Sequence, residues 1–158
     1  MIFEVGDKIV YPMYGAGVIE KIEEREILGN LRKYYIMKIS TGTMDVMVPV
    51  DNSDEIGIRR ASDTKAVEEA LNSLDEAQIE DTLSWNRRYR ENLQKLKSGD
   101  IREVACVVKH LTALEKRKGL STGERKMLVS AKNILLSEII ISCDCMKEDA
   151  EKKLDCVL

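Results

Sequence analysis

Two rhythms of apolar residues divide the chain. In the first fifty positions the apolar residues come in short runs or with period two. Ile9-Val10-Tyr11 leads into Pro12, and Gly15-Ala16-Gly17 reads as a turn. Val18 to Leu28 alternates Ile and Val loosely with charge, and Gly29-Asn30 is a hairpin signal. Tyr34 to Ile39 has strand composition and Thr41-Gly42 marks another turn. Met44, Val46, Val48 and Val50 then alternate with Asp45, Met47 and Pro49, a clean period of two. Short strands joined by tight turns, with no helical pattern between them, predict a small, strongly bent antiparallel β-barrel. If Val46 and Val48 face its core, Met47 faces outward. Arg25 and Ile27, two apart, share a side with each other.

Residues 51–63 are polar and turn-prone, and the pattern after them is helical. The predicted organisation is therefore an N-terminal β domain over 1–52, a linker over 53–63 and an all-α domain over 64–158. Val67, Ala70, Leu71 and Leu74 make the stripe of a first helix, Thr64 to Leu74. A second, Ser84 to Lys97, ends at Ser98-Gly99. Asp100 caps a third, whose apolar face runs from Ile101 to Leu114 and which Gly119 ends. Ser121 and Glu124 form a capping box for a fourth helix passing Leu128, Ala131, Leu135 and Ile139. A short last helix covers Lys147 to Leu158. The expected class is α+β in two domains, with a bundle of about five helices.

Composition narrows the function classes. Of 158 residues, 44% are hydrophobic and 34% charged, enough apolar material for a core, and four cysteines do not make a disulfide scaffold. The start lacks a basic, apolar leader, and no apolar run approaches the roughly 20 residues of a membrane span. A soluble cytoplasmic protein with no membrane partner is expected. Cys143, Cys145 and Cys156 lie near the end without a C-x-x-C pair or neighbouring histidine, so they read as reduced thiols and no metal site is expected. His110, the single histidine, has no nucleophile at a useful spacing and reads as a surface residue. Without a metal set, a nucleophile–base pair or a phosphate loop, no enzyme, cofactor or small-molecule ligand is expected.

Charge changes the picture further. The net charge is −3, but residues 1–83 carry about −8, residues 84–134 about +8 and residues 135–158 about −3. The local field, not the total, governs contact with a phosphate backbone, so the central third points to an anionic partner. Trp85, the single tryptophan, sits at its edge, in Ser84-Trp85-Asn86-Arg87-Arg88-Tyr89-Arg90. Its spacing to Tyr89, Leu93 and Leu96 fits a buried helical stripe. Its place in the first turn among three arginines fits the opposite reading. There the free backbone N–H groups and the positive dipole end favour phosphate, and an exposed ring can press on a base step from the minor groove. Lys116-Arg117-Lys118 and Arg125-Lys126 flank the Gly119 loop and supply a second basic cluster. Asn86 is the one nearby side chain suited to a base edge, so sequence-specific readout is not expected.

These blocks resemble the CarD/CdnL family of bacterial transcription regulators. The N-terminal match is Phe3-Glu4-Val5-Gly6-Asp7-Lys8-Ile9-Val10-Tyr11-Pro12 with Gly15-Ala16-Gly17. The C-terminal match is Trp85 to Leu93 and Gly119 to Leu128. The resemblance implies a Tudor/SH3-like domain that binds the β subunit of RNA polymerase. It also implies a monomer whose helical domain touches promoter double-stranded DNA near the −10 element, at the upstream edge of the bubble. Trp85 matches the family's minor-groove wedge, and Arg87, Arg88, Arg90, Arg125 and Lys126 match its DNA-contacting basic positions, with Asn86 beside them as a further DNA-binding candidate. Arg25, with Ile27 and Met47, falls on the polymerase side, Met47 standing where relatives carry arginine. A stand-alone nucleic-acid-binding protein without polymerase contact is the alternative reading of the same residues.

Overall fold

The computed structural model describes residues 2–42, 44–76 and 84–158. Strands β1 (Lys8–Tyr11), β2 (Gly15–Ile27), β3 (Asn30–Ile39) and β4 (Asp45–Pro49) are followed by a one-turn helix α1 (Ser53–Ile56) and a two-residue strand β5 (Arg59–Arg60). Helix α2 (Thr64–Asn72) tightens into a 3-10 turn over Ser73–Glu76. Helices α3 (Trp85–Lys97), α4 (Ile101–Arg117), α5 (Thr122–Cys143) and α6 (Lys147–Asp155) complete the described residues. This is the two-part α+β architecture expected, with five helices beyond residue 63 among the described residues.

The sheet is antiparallel, in the order β4-β3-β2-β1-β5. Its inner face collects Ile9, Ile19, Tyr35, Met37, Ile39 and Val48 with Phe3 and Ile58. Phe3 meets Tyr35 edge to face and donates its backbone N–H to the phenol oxygen at 3.0 Å, which satisfies the one polar atom of that buried ring. The alternation read from the sequence has the phase expected. Val46 and Val48 pair with Met37 and Tyr35 on the core side, whereas Met47 pairs with Ile36 on the other face.

The linker expected over 53–63 is instead built into the N-terminal unit. Ser53 and Ile58 are buried, and Arg59 and Arg60 pair with Val10 and Ile9 to extend the sheet. The segment's apolar content is Ile56, Ile58 and Ala61 alone, too little to show a period, so its turn-prone composition hides the pairing.

Helix α5 joins the two halves. One side packs into the bundle core through Met127, Ala131, Leu135 and Ile139, and the other meets the sheet, where Ile141 clusters with Val10 and Ala16. Ser137 Oγ accepts the Ala16 N–H at 2.8 Å, and the Ser137 carbonyl accepts from Ser40 Oγ at 2.7 Å. A Cβ on Gly15 would stand 2.8 Å from Ser137 Oγ, so only glycine lets the strand approach this closely. Glu138 is buried and takes both Arg59 guanidinium bonds at 2.8 Å and the Ser62 N–H at 2.9 Å. Arg59 Nε also donates to the Gly99 carbonyl at 2.9 Å in the α3–α4 turn, so one side chain ties sheet, α5 and that turn together.

Removing one partner of this pair leaves the other desolvated and unmatched. Glu138→Ala is expected to destabilise the protein by about 3 kcal/mol, the lower end of the range for a broken buried pair because Arg59 keeps some solvent contact. Urea unfolding monitored by far-UV circular dichroism checks this; a change within about 0.5 kcal/mol, the level of an ordinary surface substitution, would mean that the apolar contacts alone join the halves.

Candidate nucleic-acid interface

Trp85 occupies the first turn of α3, where Ser84 caps the helix by accepting the Arg87 N–H. The indole is 44% exposed. It is also firmly held. Its Nε1–H donates to Ser121 Oγ at 2.9 Å, and its ring stacks on Tyr89, one turn along, with centroids 5.2 Å apart and planes 20° from parallel. Gly123, in the first turn of α5, lies beneath both rings. The i+4 spacing to Tyr89 therefore marks a stacked pair at the bundle's edge, with Tyr89 and Leu93 packing on the core while the indole faces water.

The support behind the indole is a buried ion pair. Glu124 is 2% exposed and accepts from Arg88 Nε at 2.7 Å and Nη2 at 2.9 Å. The capping box of α5 closes the arrangement, because Ser121 Oγ accepts the Glu124 N–H at 3.2 Å while receiving the indole N–H. The guanidinium hydrogen bonds hold the Glu124 carboxyl below the usual carboxylate range, and the same bonds raise Arg88 further. Arg88, expected to face DNA, has a side chain 16% exposed and engaged by Glu124, so it joins α3 to α5.

His110 also differs from expectation. It is half-buried behind α3, with Nδ1 3.5 Å from Asn92 Nδ2 and Nε2 buried without a hydrogen-bond partner. Burial, then the nearby Lys95 and Arg88 charges, pushes its pKa below the ordinary histidine value. The side it faces is polar, being Asn92 and the Arg88–Glu124 pair rather than aliphatic residues, so no apolar stripe marks this contact in the sequence.

The remaining candidate side chains stay outside. Asn86, Arg87, Arg90, Arg125 and Lys126 are exposed. Arg87 pairs with Glu91 at 3.2 Å along its own helix, and Arg125 stands 3.8 Å from Glu115, loose surface contacts that a phosphate could replace. Asn86, Arg87 and Arg90 share α3 with the indole, and Arg125 and Lys126 lie near the start of α5, just beyond the Ser121 cap that receives the indole N–H. The second candidate group lies on the sheet. The pairings Ile36 with Lys21 and Met47, Tyr34 with Glu23 and Pro49, and Arg25 with Arg32 put Arg25, Ile27 and Met47 on one face, the one turned from the core.

Comparison with known proteins agrees with this division. Residues 3–62 match the CarD-like/TRCF RID domain and residues 69–155 match the CarD C-terminal domain. The chain belongs to the CarD family. Within it, a Bacillus subtilis (strain 168) protein named "Putative transcription factor YdeB" is 39% identical over 137 residues, covering 87% of this chain and 90% of its own length. Membership in the CarD family makes this protein a transcription regulator, built with the family's N-terminal RID unit and C-terminal helical unit. Among its described residues no helix is long and apolar enough to cross a membrane, and no three His, Cys, Asp or Glu side chains gather as a metal set.

Trp85 and its arginines stand out in the sequence, but the side chains that hold them do not. Ser121 and Glu124 were legible as a helix cap only; their second duty, receiving the indole N–H and pairing Arg88, needs α3 and α5 to be adjacent. Two pH effects follow. His110 has a folded pKa below its unfolded value near 6.5, so its neutral form contributes stability at higher pH that is lost as pH falls below about 6.5. Glu124 likewise contributes above about 4.5 and loses it below. His110→Gln should therefore flatten the fall in unfolding free energy between about pH 7 and the lower folded value. Urea melts across that range check it, and an unchanged slope would place the effect elsewhere. Glu124→Gln should cost about 3–5 kcal/mol and red-shift the Trp85 emission as the indole loses its support.

Proposed function

We propose that this regulator anchors on the β subunit of RNA polymerase through its sheet and steadies the promoter open complex with its helical unit, using Trp85 as a minor-groove wedge near the −10 element. The observation that carries the DNA half is the half-exposed indole, held by Ser121, Tyr89 and Gly123, with exposed Arg87 and Arg90 on its own helix and exposed Arg125 and Lys126 near the start of α5. Water does not reward so large an exposed aromatic, whereas an opened base step does: stacking is worth about 1–3 kcal/mol. Because the ring is already oriented, little rotamer freedom remains to be lost on contact. The exposed cations would hold the backbone without reading sequence, Asn86 lying beside them.

The polymerase half rests on the RID unit and on a free sheet edge. Ile39 N–H bonds Met44 carbonyl and Val50 N–H bonds Lys33 carbonyl, which sets the phase of the β3–β4 ladder. In that phase the N–H groups of Asp45 and Met47 and the carbonyls of 45, 47 and 49 point away from β3. Pro49 lacks the N–H that would otherwise be left unpaired there. No strand covers this edge among the described residues. It suits addition of a partner strand, while Arg25, Ile27 and Met47 meet the partner from the adjoining face.

Tethering explains how an acidic chain acts on DNA. Anchored on polymerase, the weak basic patch works at high local concentration. A ligand that prefers the opened state shifts the opening equilibrium toward it by its differential affinity. The protein works as a monomer in the cytoplasm on this reading, without catalysis. A stand-alone nucleic-acid binder would instead grip duplex without polymerase.

Trp85→Ala should fold, bind polymerase as the unaltered protein does and shorten open-complex lifetime about tenfold, as loss of one stacking contact implies. Competitor-challenged promoter-complex decay measures it, and an unchanged lifetime would reject the wedge. Neutralising Arg125 and Lys126 together should lower the salt slope of promoter-complex stability by about 1–2, whereas Arg88→Gln should lose folding stability first. An unaltered slope for the double variant would place both side chains away from phosphate.

A further inference from the structure

We propose that the tip of the β2–β3 hairpin is an apolar plug that enters a recess on the same polymerase β surface. The proposal rests on the docking reading above and extends it to residues that the outer face does not include. The hairpin outruns the sheet. Strand β1 pairs β2 only as far as Val18, and β4 pairs β3 only between Tyr34 and Lys38. From Arg25 to Arg32 the two strands pair only with each other, so the tip stands about 10 Å beyond its neighbours.

This free arm ends in aliphatic side chains. Leu28 is 96% exposed and Leu31 68%, with Ile27 exposed beside them. The stem carries Glu23, Glu24, Arg25, Glu26, Arg32 and Lys33, so the apolar surface is confined to the end.

The turn residue itself is unusual. Leu28 has φ 52 and Gly29 φ 80, the two positive values that a type I′ turn requires. That turn favours Asn-Gly or Asp-Gly, because a branched aliphatic in the left-handed region is strained and gains no local hydrogen bond. Leu28 packs in neither core, so the fold draws nothing from it in return. A strained residue that supports nothing internal points to an external use.

The occupant follows from position and charge. Ile27 belongs both to the tip and to the outer face with Arg25 and Met47, so the plug continues that surface. The four glutamates of the hairpin are matched by Lys21, Arg25, Arg32 and Lys33, with Glu23 paired to Lys21 and Arg25, so the arm has no net positive field to draw it to DNA or to an anionic lipid surface. A protruding side chain entering a dry pocket beside polar contacts is the arrangement that concentrates binding energy at protein interfaces.

The test compares Leu28→Asn with Arg25→Glu in the full chain, reading affinity for core polymerase by biolayer interferometry, thermal unfolding, and self-association by sedimentation. Asn suits the turn, so Leu28→Asn should melt at a higher temperature yet bind polymerase at least about tenfold more weakly, as loss of one buried Leu implies. Arg25→Glu should also weaken binding. If Leu28→Asn binds normally while Arg25→Glu does not, the plug is wrong and the docking face stands. If neither substitution changes binding, both readings fall. If Leu28→Asn abolishes self-association and leaves polymerase binding intact, the tip meets a second copy and the proposal is overturned.

Discussion

The packing of α5 against both halves is the constraint on which the rest depends. Its first turn carries Ser121, Gly123 and Glu124, which hold the indole and its arginine partner; its last third carries Ser137 and Glu138, which hold the sheet. Ser121 and Glu138 are 17 residues apart along one helix, about 25 Å at the usual rise. A single rigid rod therefore sets the distance and rotation between Trp85 and the strands. Its unusual composition follows from this position. A helix packed on two sides cannot be amphipathic, and the run from Ile134 to Ile141 is apolar nearly all round, broken only by the two polar residues that fasten it.

The distribution of charge suits such a tethered device. A chain of net −3 carries a basic patch on its helical unit, so the patch is weak in free solution and strong where the tether places it. Salt bridges divide in the same way. Arg59–Glu138 and Arg88–Glu124 are shielded and hold the framework, whereas Arg87–Glu91 and Arg125–Glu115 lie in water and leave their arginines available. Burial decides which arginines are structural, and two that are adjacent in sequence, Arg87 and Arg88, fall on opposite sides of that division.

Much of this was legible in the sequence. The period-two run from Met44 to Val50 gave the phase of β4, because one buried face forces alternation. Asp100, Ser121 and Glu124 marked helix starts to the residue, since capping chemistry is local. What the sequence left unread in the 53–63 segment, His110 and Arg88 has one physical cause. Each owes its structure to contacts with distant parts of the chain, and no local pattern encodes those. Arg59 and Arg60 of the 53–63 segment become strand by pairing with β1, His110 is half-buried against a polar layer, and Arg88 is matched by a carboxylate thirty-six residues on. Sequence separated the charged face from the apolar one, but not the charges that turn inward.

The central claim is that the outward indole meets promoter DNA only while the sheet holds the chain on polymerase. Replacing Trp85 by the photo-crosslinking residue p-benzoylphenylalanine and irradiating the protein with polymerase and a labelled promoter tests it most directly. The account predicts crosslinks to DNA at the upstream edge of the bubble, present with polymerase and absent without it. Crosslinks confined to protein, or equally strong DNA crosslinks without polymerase, would contradict it.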